Sequence, residues 1–243
     1  MLIVLMSMLS FSTNFKLDAS ADSLILENDK DLLTYRNTVE RYSTKEFIVM
    51  TYSPRQGKIF DKKNLLLIKN LKEKLLSVKN ISSVISVIDV PLVESSEVPL
   101  IEMANNVPTI FSNGIDIIKA ENEILTSPIY KDLIISSDGE TTAIQINLKK
   151  NDDLIFLNNQ KRILADKKRY STITSEELIK LEEVTKDYAE TKEIHGQEIH
   201  NLLKSVRLIQ NQFSKKHNVE LRMGGIPMIA DDMIIYVKND LIN

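Results

Sequence analysis

The sequence predicts an α+β fold, and three observations predict it. Short apolar, β-branched runs recur at 45–53, 82–90, 141–149 and near 219–224, each closed by proline, glycine or polar residues. Stretches with apolar residues at helical spacing fill 61–80 and much of 151–217. A long stretch of neither period, 91–129, separates the two halves. The order is therefore β-α-β, an insertion, a β-hairpin, a long α region and a last β.

The segment "KEFIVMTYS", 45–53, reads as a buried strand stopped by Pro54. In "DKKNLLLIKNLKEKLLSVKN", 61–80, Leu67, Ile68, Leu71, Leu75 and Val78 share one helical face, lysines lie opposite, and Asp61 suits the N-cap. "SSVISVIDV", 82–90, is the second strand, closed by Pro91. The insertion 91–129 carries Pro91, Pro99 and Pro108 without a clean period and has room for a short helix at 114–124. A connection this long is usually functional or mobile, which makes it the expected source of pocket-lining residues.

"YKDLIISSDGETTAIQINLKK" predicts a hairpin turning at Ser137-Asp138-Gly139, where glycine supplies positive φ. Ile144, Ile146 and Leu148 alternate with Gln145, Asn147 and Lys149, giving one buried and one wet face. A helix is expected over 151–167. A second begins at the capping box formed by Thr174 and Glu177 and runs to about 216. Its distal part carries Ile199, Leu202, Val206, Ile209 and Phe213; its proximal part is polar, with Gly196 as a bend between them. "NVELRMGGIPM" supplies the last strand, and "ADDMIIYVKNDLIN" closes the chain on an apolar run.

This βαββαβ order is the ferredoxin-like arrangement. It implies one antiparallel sheet with 45–53 central beside 141–149, and helices 61–79 and 197–216 covering one face.

Composition narrows the function classes. Hydrophobic residues make up 43% of 243, enough for a real core. Net charge is −3 with acids and bases interspersed, and no basic stripe marks a nucleic-acid binder. Without cysteine there is no disulfide framework, thiolate metal site or thiol nucleophile. Six glycines and no GxGxxG or GxxxxGK[ST] string disfavour phosphate loops.

Candidate chemistry is sparse. Asp29, Asp31 and Glu40 fall at positions 1, 3 and 12 of a calcium loop, but Leu33 and Thr34 occupy positions 5 and 6, where a ligand and glycine belong. A capped amphipathic helix starting at Asn28 or Asp29 explains them better. His195 and His200 are five apart, so on a helix they point to different faces, unlike the pair of an HExxH motif. His217 suits a helix C-terminus, where a partly protonated imidazole complements the dipole. No serine sits in GxSxG. The pairs Asp152-Asp153 and Asp231-Asp232 read as helix N-terminal charge, and 176–193 as a solvated helix face or helical hairpin. No catalytic, cofactor-binding or metal-binding residue is assigned, no cofactor is expected, and an enzyme is not the reading.

The first segment, "MLIVLMSMLSF", is apolar and gives way to one bearing Asp18, Asp22, Glu27, Asp29 and Asp31. Eleven residues fall short of the roughly 20 of a spanning helix. A signal peptide would carry a basic start, yet no Lys or Arg precedes Lys16. The outer half of a membrane helix, a signal or anchor, and a buried segment all stand as readings. The first explains the border best, because charge stays in water where a helix leaves hydrocarbon.

Three blocks carry a family resemblance. "FKLDASADSLILENDKDLLTYR" resembles the stretch after the first transmembrane helix of RND-superfamily exporters, in the MMPL-like branch that includes hopanoid and lipid transporters. "SPIYKDLIISSDGETTAIQINL" looks like that family's hairpin, and "LRMGGIPMIADDMIIYVKNDL" is similar to the segment leading into its second transmembrane helix. The likeness runs from about Phe15 onward. It implies the first porter loop of a proton-driven exporter of lipids or other hydrophobic compounds, on the periplasmic side of a bacterial inner membrane. The implied partners are the remaining transmembrane helices and second porter loop, a lipid-like substrate and the membrane, with no nucleic acid. Proton-relay carboxylates would lie in helices outside this chain.

The implied organisation is the end of one transmembrane helix at 1–13, a membrane-proximal helical segment at 14–44, the porter domain at 45–232 and the start of a second transmembrane helix at 233–243. Met1–Phe11 and Met233–Asn243 are then expected on the same side of the domain. The alternative is a stand-alone, membrane-anchored extracytoplasmic binding or adaptor module.

Overall fold

The computed structural model describes residues 46–96 and 107–242, together with Thr34 and Thr38. The expectations for 1–13, most of 14–44 and residue 243, and hence for the mutual placement of the two ends, lie outside the described residues. Two compact units divide the chain: Lys45–Pro227, and a second that includes Met228 onward.

In the larger unit, four strands form one antiparallel sheet: β1 (Phe47–Pro54), β2 (Ile81–Ile85), β3 (Thr142–Leu148) and β4 (Val219–Gly224), in the order β2-β3-β1-β4. The expected central place of β1 beside β3 is observed. Alternation sets the register. Ile48 pairs with Ile146 and Met50 with Ile144 on one side, while Met50 pairs with Met223 and Tyr52 with Leu221 on the other. Ile48, Met50, Tyr52, Ile144 and Ile146 are fully buried on the same face. Each such side chain contributes roughly 1.5–3 kcal/mol by leaving water.

Helix α1 (Lys62–Leu76) and the distal part of a later 43-residue helix cover that face and pack against each other. Helix α1 buries Asn64, Leu65, Ile68, Leu71 and Leu75. The buried stripe is therefore rotated from the expected one, with Leu67 and Val78 only half-buried at its margin. Asp61 is the N-cap by position, but its carboxylate turns back to accept from the Lys58 N–H at 2.8 Å instead of capping the helix.

The second strand is shorter than expected. It ends at Ile85, and a 3-10 turn at Val87–Asp89 follows, fixed by Ser86 in a capping box with Asp89. In the insertion, α2 (Ile117–Thr126) starts at Asp116, whose side chain accepts from the Ile118 and Lys119 N–H groups. The expected hairpin is one-sided. Its turn is present, with Gly139 at φ 72°. Before the turn, however, Lys131 and Ile135 make only isolated bridges. Hydrogen bonds among Tyr130, Ile134 and Ile135 coil that stretch locally instead.

Helices α3 (Asp152–Arg169) and α4 (Ser175–His217) form a helical hairpin. Asn151 caps α3 through the Leu154 N–H, and Thr174 with Glu177 forms the expected capping box of α4. Helix α4 is unbroken through Gly196, so the expected bend is not a break in the helix. Its first half packs on α3, and its second half buries Leu202, Leu203, Val206 and Phe213 against the sheet unit. Asn218, left-handed at φ 53°, ends it and turns the chain into β4. Gly225, at φ 138°, lies where an added Cβ would sit 3.1 Å from the Phe47 carbonyl oxygen.

Helix α5 (Ile226–Ile242) follows β4. Among the described residues, no helix is long and apolar enough to cross a membrane.

Candidate functional site

The candidate site is a pocket of about 130 Å³ where β1 ends, α1 begins and α4 hands over to β4. Pro54, Arg55 and Gln56 leave the central strand along one wall. Lys63, Asn64 and Leu67 come from the first turns of α1. Lys216, His217, Asn218 and Val219 form the α4-to-β4 corner. Antiparallel pairing creates this meeting point, because Pro54 lies opposite Val219 in the register.

The floor is hydrogen-bonded. Tyr52, fully buried, donates its hydroxyl to Asn64 Oδ1 at 3.1 Å. Asn64 Nδ2 donates to the Lys58 carbonyl at 2.7 Å and to the Gln56 carbonyl at 3.3 Å, which fixes the loop after β1. Burial pushes the Tyr52 phenol up to about 12, so it stays a neutral donor.

The rim is cationic. Arg55, Lys63 and Lys216 line it with His217, and no acidic side chain does. Burial lowers the His217 imidazole below its ordinary value, and the Lys216, Lys74 and Lys63 ammonium groups lower it further. His217 does lie in the last turn of α4, as expected, but burial first and the lysine charges after it disfavour the protonated ring. Its ring also lies 4.4 Å from that of Phe213. Chemically the arrangement offers positive potential, amide groups and the His217 imidazole, whose neutral ring can accept a proton. The cationic rim suits an anionic group.

The other singled-out residues do not converge here. Asp152 and Asp153 open α3 as N-terminal charge. His195 and His200 lie on α4; Asp231 and Asp232 lie beyond the first turn of α5, not at its N-terminus as expected, because the helix already starts at Ile226, and Asp231 is buried. Among the described residues, no group of three His, Asp or Glu side chains is placed to hold a metal ion. Of the calcium-like stretch 29–40, only Thr34 and Thr38 are described, both helical. The run 176–193 lies on the hairpin.

Among the described residues, the insertion 91–129 contributes none to this pocket, contrary to the expectation that it would supply pocket-lining residues. Its described part is pinned by Glu123, which accepts from the Val93 and Ser95 N–H groups at 2.7 Å each and from the Ser95 hydroxyl at 2.6 Å. Burial raises the Glu123 carboxyl, but the hydrogen bonds from Ser95 and from the Val93, Glu94 and Ser95 backbone together hold it below the usual carboxylate range.

Sequence reasoning missed the cationic rim. Arg55 and Lys63 lie in the first βα connection and Lys216 at the far end of α4, so no spacing signalled them. No family model, curated protein or solved structure matches the chain.

Proposed function

We propose that this chain is extracytoplasmic porter-domain sequence of a proton-driven RND-type exporter of lipids or other hydrophobic compounds, on the periplasmic side of a bacterial inner membrane, with a ferredoxin-like βαββαβ core. The observation that carries the reading is the sheet. Its order, β2-β3-β1-β4, places each α connection between two strands of the same direction and both helices on one face. The three resemblant sequence blocks fall in family order on this frame: one before β1, one ending in β3, and one running from β4 into α5.

The opposite face supports the same reading. Phe47 and Ile85 are exposed there, Val49, Thr51 and Ala143 are half-buried, and Glu220 and Arg222 form an ion pair beside them. A sheet face of this mixed character suits a second porter loop or an amphipathic substrate. Proton coupling belongs, in this reading, to membrane helices that other sequence supplies.

Two measurements test it. Genomic sequence following the Asn243 codon is expected to encode an apolar helix at once. An alkaline-phosphatase reporter inserted at Ser171–Thr172, in the hairpin turn, is expected to be active in cells, because that enzyme matures only outside the cytoplasm. A polar continuation with an active reporter favours the anchored binding module, and an inactive reporter overturns the extracytoplasmic assignment.

A further inference from the structure

The pocket at the end of β1 gathers three cations from three elements. Arg55 sits just past the last residue of β1, Lys63 lies in the first turn of α1, and Lys216 lies in the last turn of α4. All three are exposed, and among the described residues none of them forms an ion pair. Carboxylates close by in sequence are engaged elsewhere. Asp61 accepts from the Lys58 N–H, and Glu220 pairs with Arg222. The Asn64 amide is used as well, since its Nδ2 donates to the Lys58 and Gln56 carbonyls. The donors left to face a ligand are therefore the charged ones. They converge in a chain whose net charge is −3, so the concentration of positive charge is local. Like charges held together repel, and a bound anion relieves that repulsion.

We infer that this pocket binds a phosphomonoester group, carried either by a lipid headgroup or by a soluble ester. Three cationic side chains match the three terminal oxygens of such a group, which bears about two negative charges near neutral pH. The Arg55 guanidinium offers a planar fork to two of those oxygens, and Lys63 and Lys216 act as point charges. A carboxylate has two oxygens and one charge, and leaves one of the three cations unmatched. The size of the pocket agrees. Its volume of about 130 Å³ is below the roughly 300–1,000 Å³ of pockets that enclose whole ligands, so it takes the phosphate group and leaves the esterified part outside. Because the cations are exposed, the contact is screened by salt and modest, with a Kd on the order of 1 mM. The inference goes beyond the exporter reading and stands without it.

The test titrates the 243-residue chain with inorganic phosphate at fixed pH and ionic strength and follows the histidine rings by NMR. His217 is expected to shift saturably, half-way at a concentration on the order of 1 mM. His195 and His200, earlier on α4, serve as internal controls and are expected to stay still. A bound dianion opposes the charges of Lys63, Lys74 and Lys216, so the His217 pKa should also rise. Acetate is expected to bind roughly fivefold or more weakly, and so is phosphate to the double variant Lys63→Gln, Lys216→Gln. The double variant Lys149→Gln, Lys150→Gln makes the same change in net charge with two exposed lysines that follow β3 at the opposite end of the sheet from Pro54, and it should bind as the native chain does. Unchanged circular dichroism in both variants separates lost binding from lost folding. A His217 ring unmoved up to about 50 mM phosphate, acetate binding equal to phosphate, or equal losses in the two double variants overturns the inference. Co-sedimentation with phosphatidic acid vesicles, competed by inorganic phosphate, assigns the group to a lipid; phosphate binding without co-sedimentation assigns it to a soluble ester. Neither readout depends on the transport reading.

Discussion

The bond between Tyr52 and Asn64 fastens the covering helix to the central strand, and its removal has a computable signature. In Asn64→Ala, the Lys58 and Gln56 carbonyls lose a donor, but both residues are exposed and water replaces it at small cost. The Tyr52 hydroxyl sits at zero exposure and has no such replacement. Stranding it costs about 1–3 kcal/mol. Tyr52→Phe strands Asn64 Oδ1 instead, in a residue only 4% exposed, at about 1–2 kcal/mol. In the double variant neither group is stranded. Its loss should therefore fall short of the sum of the single losses, with a coupling of about 1 kcal/mol. The low value follows from geometry, since 3.1 Å is long for an O–H···O bond. Urea unfolding followed by circular dichroism measures all four corners of the cycle. Single losses that add to within about 0.3 kcal/mol would refute the claim that this hydroxyl depends on Asn64.

Three further outcomes follow from the same geometry. Burial holds the Tyr52 phenol at about 12, above its unfolded value of 10.0, so its contribution is complete below pH 10 and is lost as pH rises through 12; the stability gap between the native chain and Tyr52→Phe should narrow between about pH 10 and about pH 12, and an unchanged gap contradicts it. The Glu123 carboxyl is held below its unfolded value, so the stability it adds is present above that value and is lost as pH falls through the folded one; the Val93 and Ser95 amides should exchange faster with acid beyond the intrinsic pH effect, and Glu123→Gln should abolish that extra dependence. Gly196 lies inside α4 with nothing within 4 Å of an added Cβ, so Gly196→Ala should raise stability by about 0.5–1 kcal/mol; a loss in thermal unfolding would mean that the helix needs a glycine bend there.

Much of the sheet was legible because it rests on local signals. Alternation at Ile144, Ile146 and Leu148 gave both the strand and its buried face, and Pro54 gave the end of β1. The capping box at Thr174 located the start of α4 because its partners lie three residues apart. What failed was set by distant partners. Nothing local distinguishes Asn64 from its neighbours; it is buried because Tyr52, on another element, needs an acceptor. The expected strand before Gly139 coils because Ile134 hydrogen-bonds to Tyr130, while β3 takes β1 and β2 as its neighbours. The cationic rim assembles only when α4 returns to the end of β1. His217 ends α4 as the sequence indicated, but its lowered pKa was not legible, because it follows from burial and then from lysines that include Lys63 and Lys74 of α1.

Helix α4 joins the helical hairpin to the pocket rim. At 1.5 Å per residue its 43 residues extend about 64 Å. Leu181 and Val184 are buried on the α3 side of its course, while Leu202, Leu203, Val206 and Phe213 belong to the sheet core. The helix ends at Lys216 and His217 on the pocket rim, where Ser214 and Gln210 also bond the Val219 and Leu221 carbonyls of β4. A helix is stiff along its axis, and the hydrogen-bond ladder is unbroken through Gly196. A load on the hairpin is therefore met first where Leu202, Leu203, Val206 and Phe213 anchor the helix in the sheet core, well before the β4 corner.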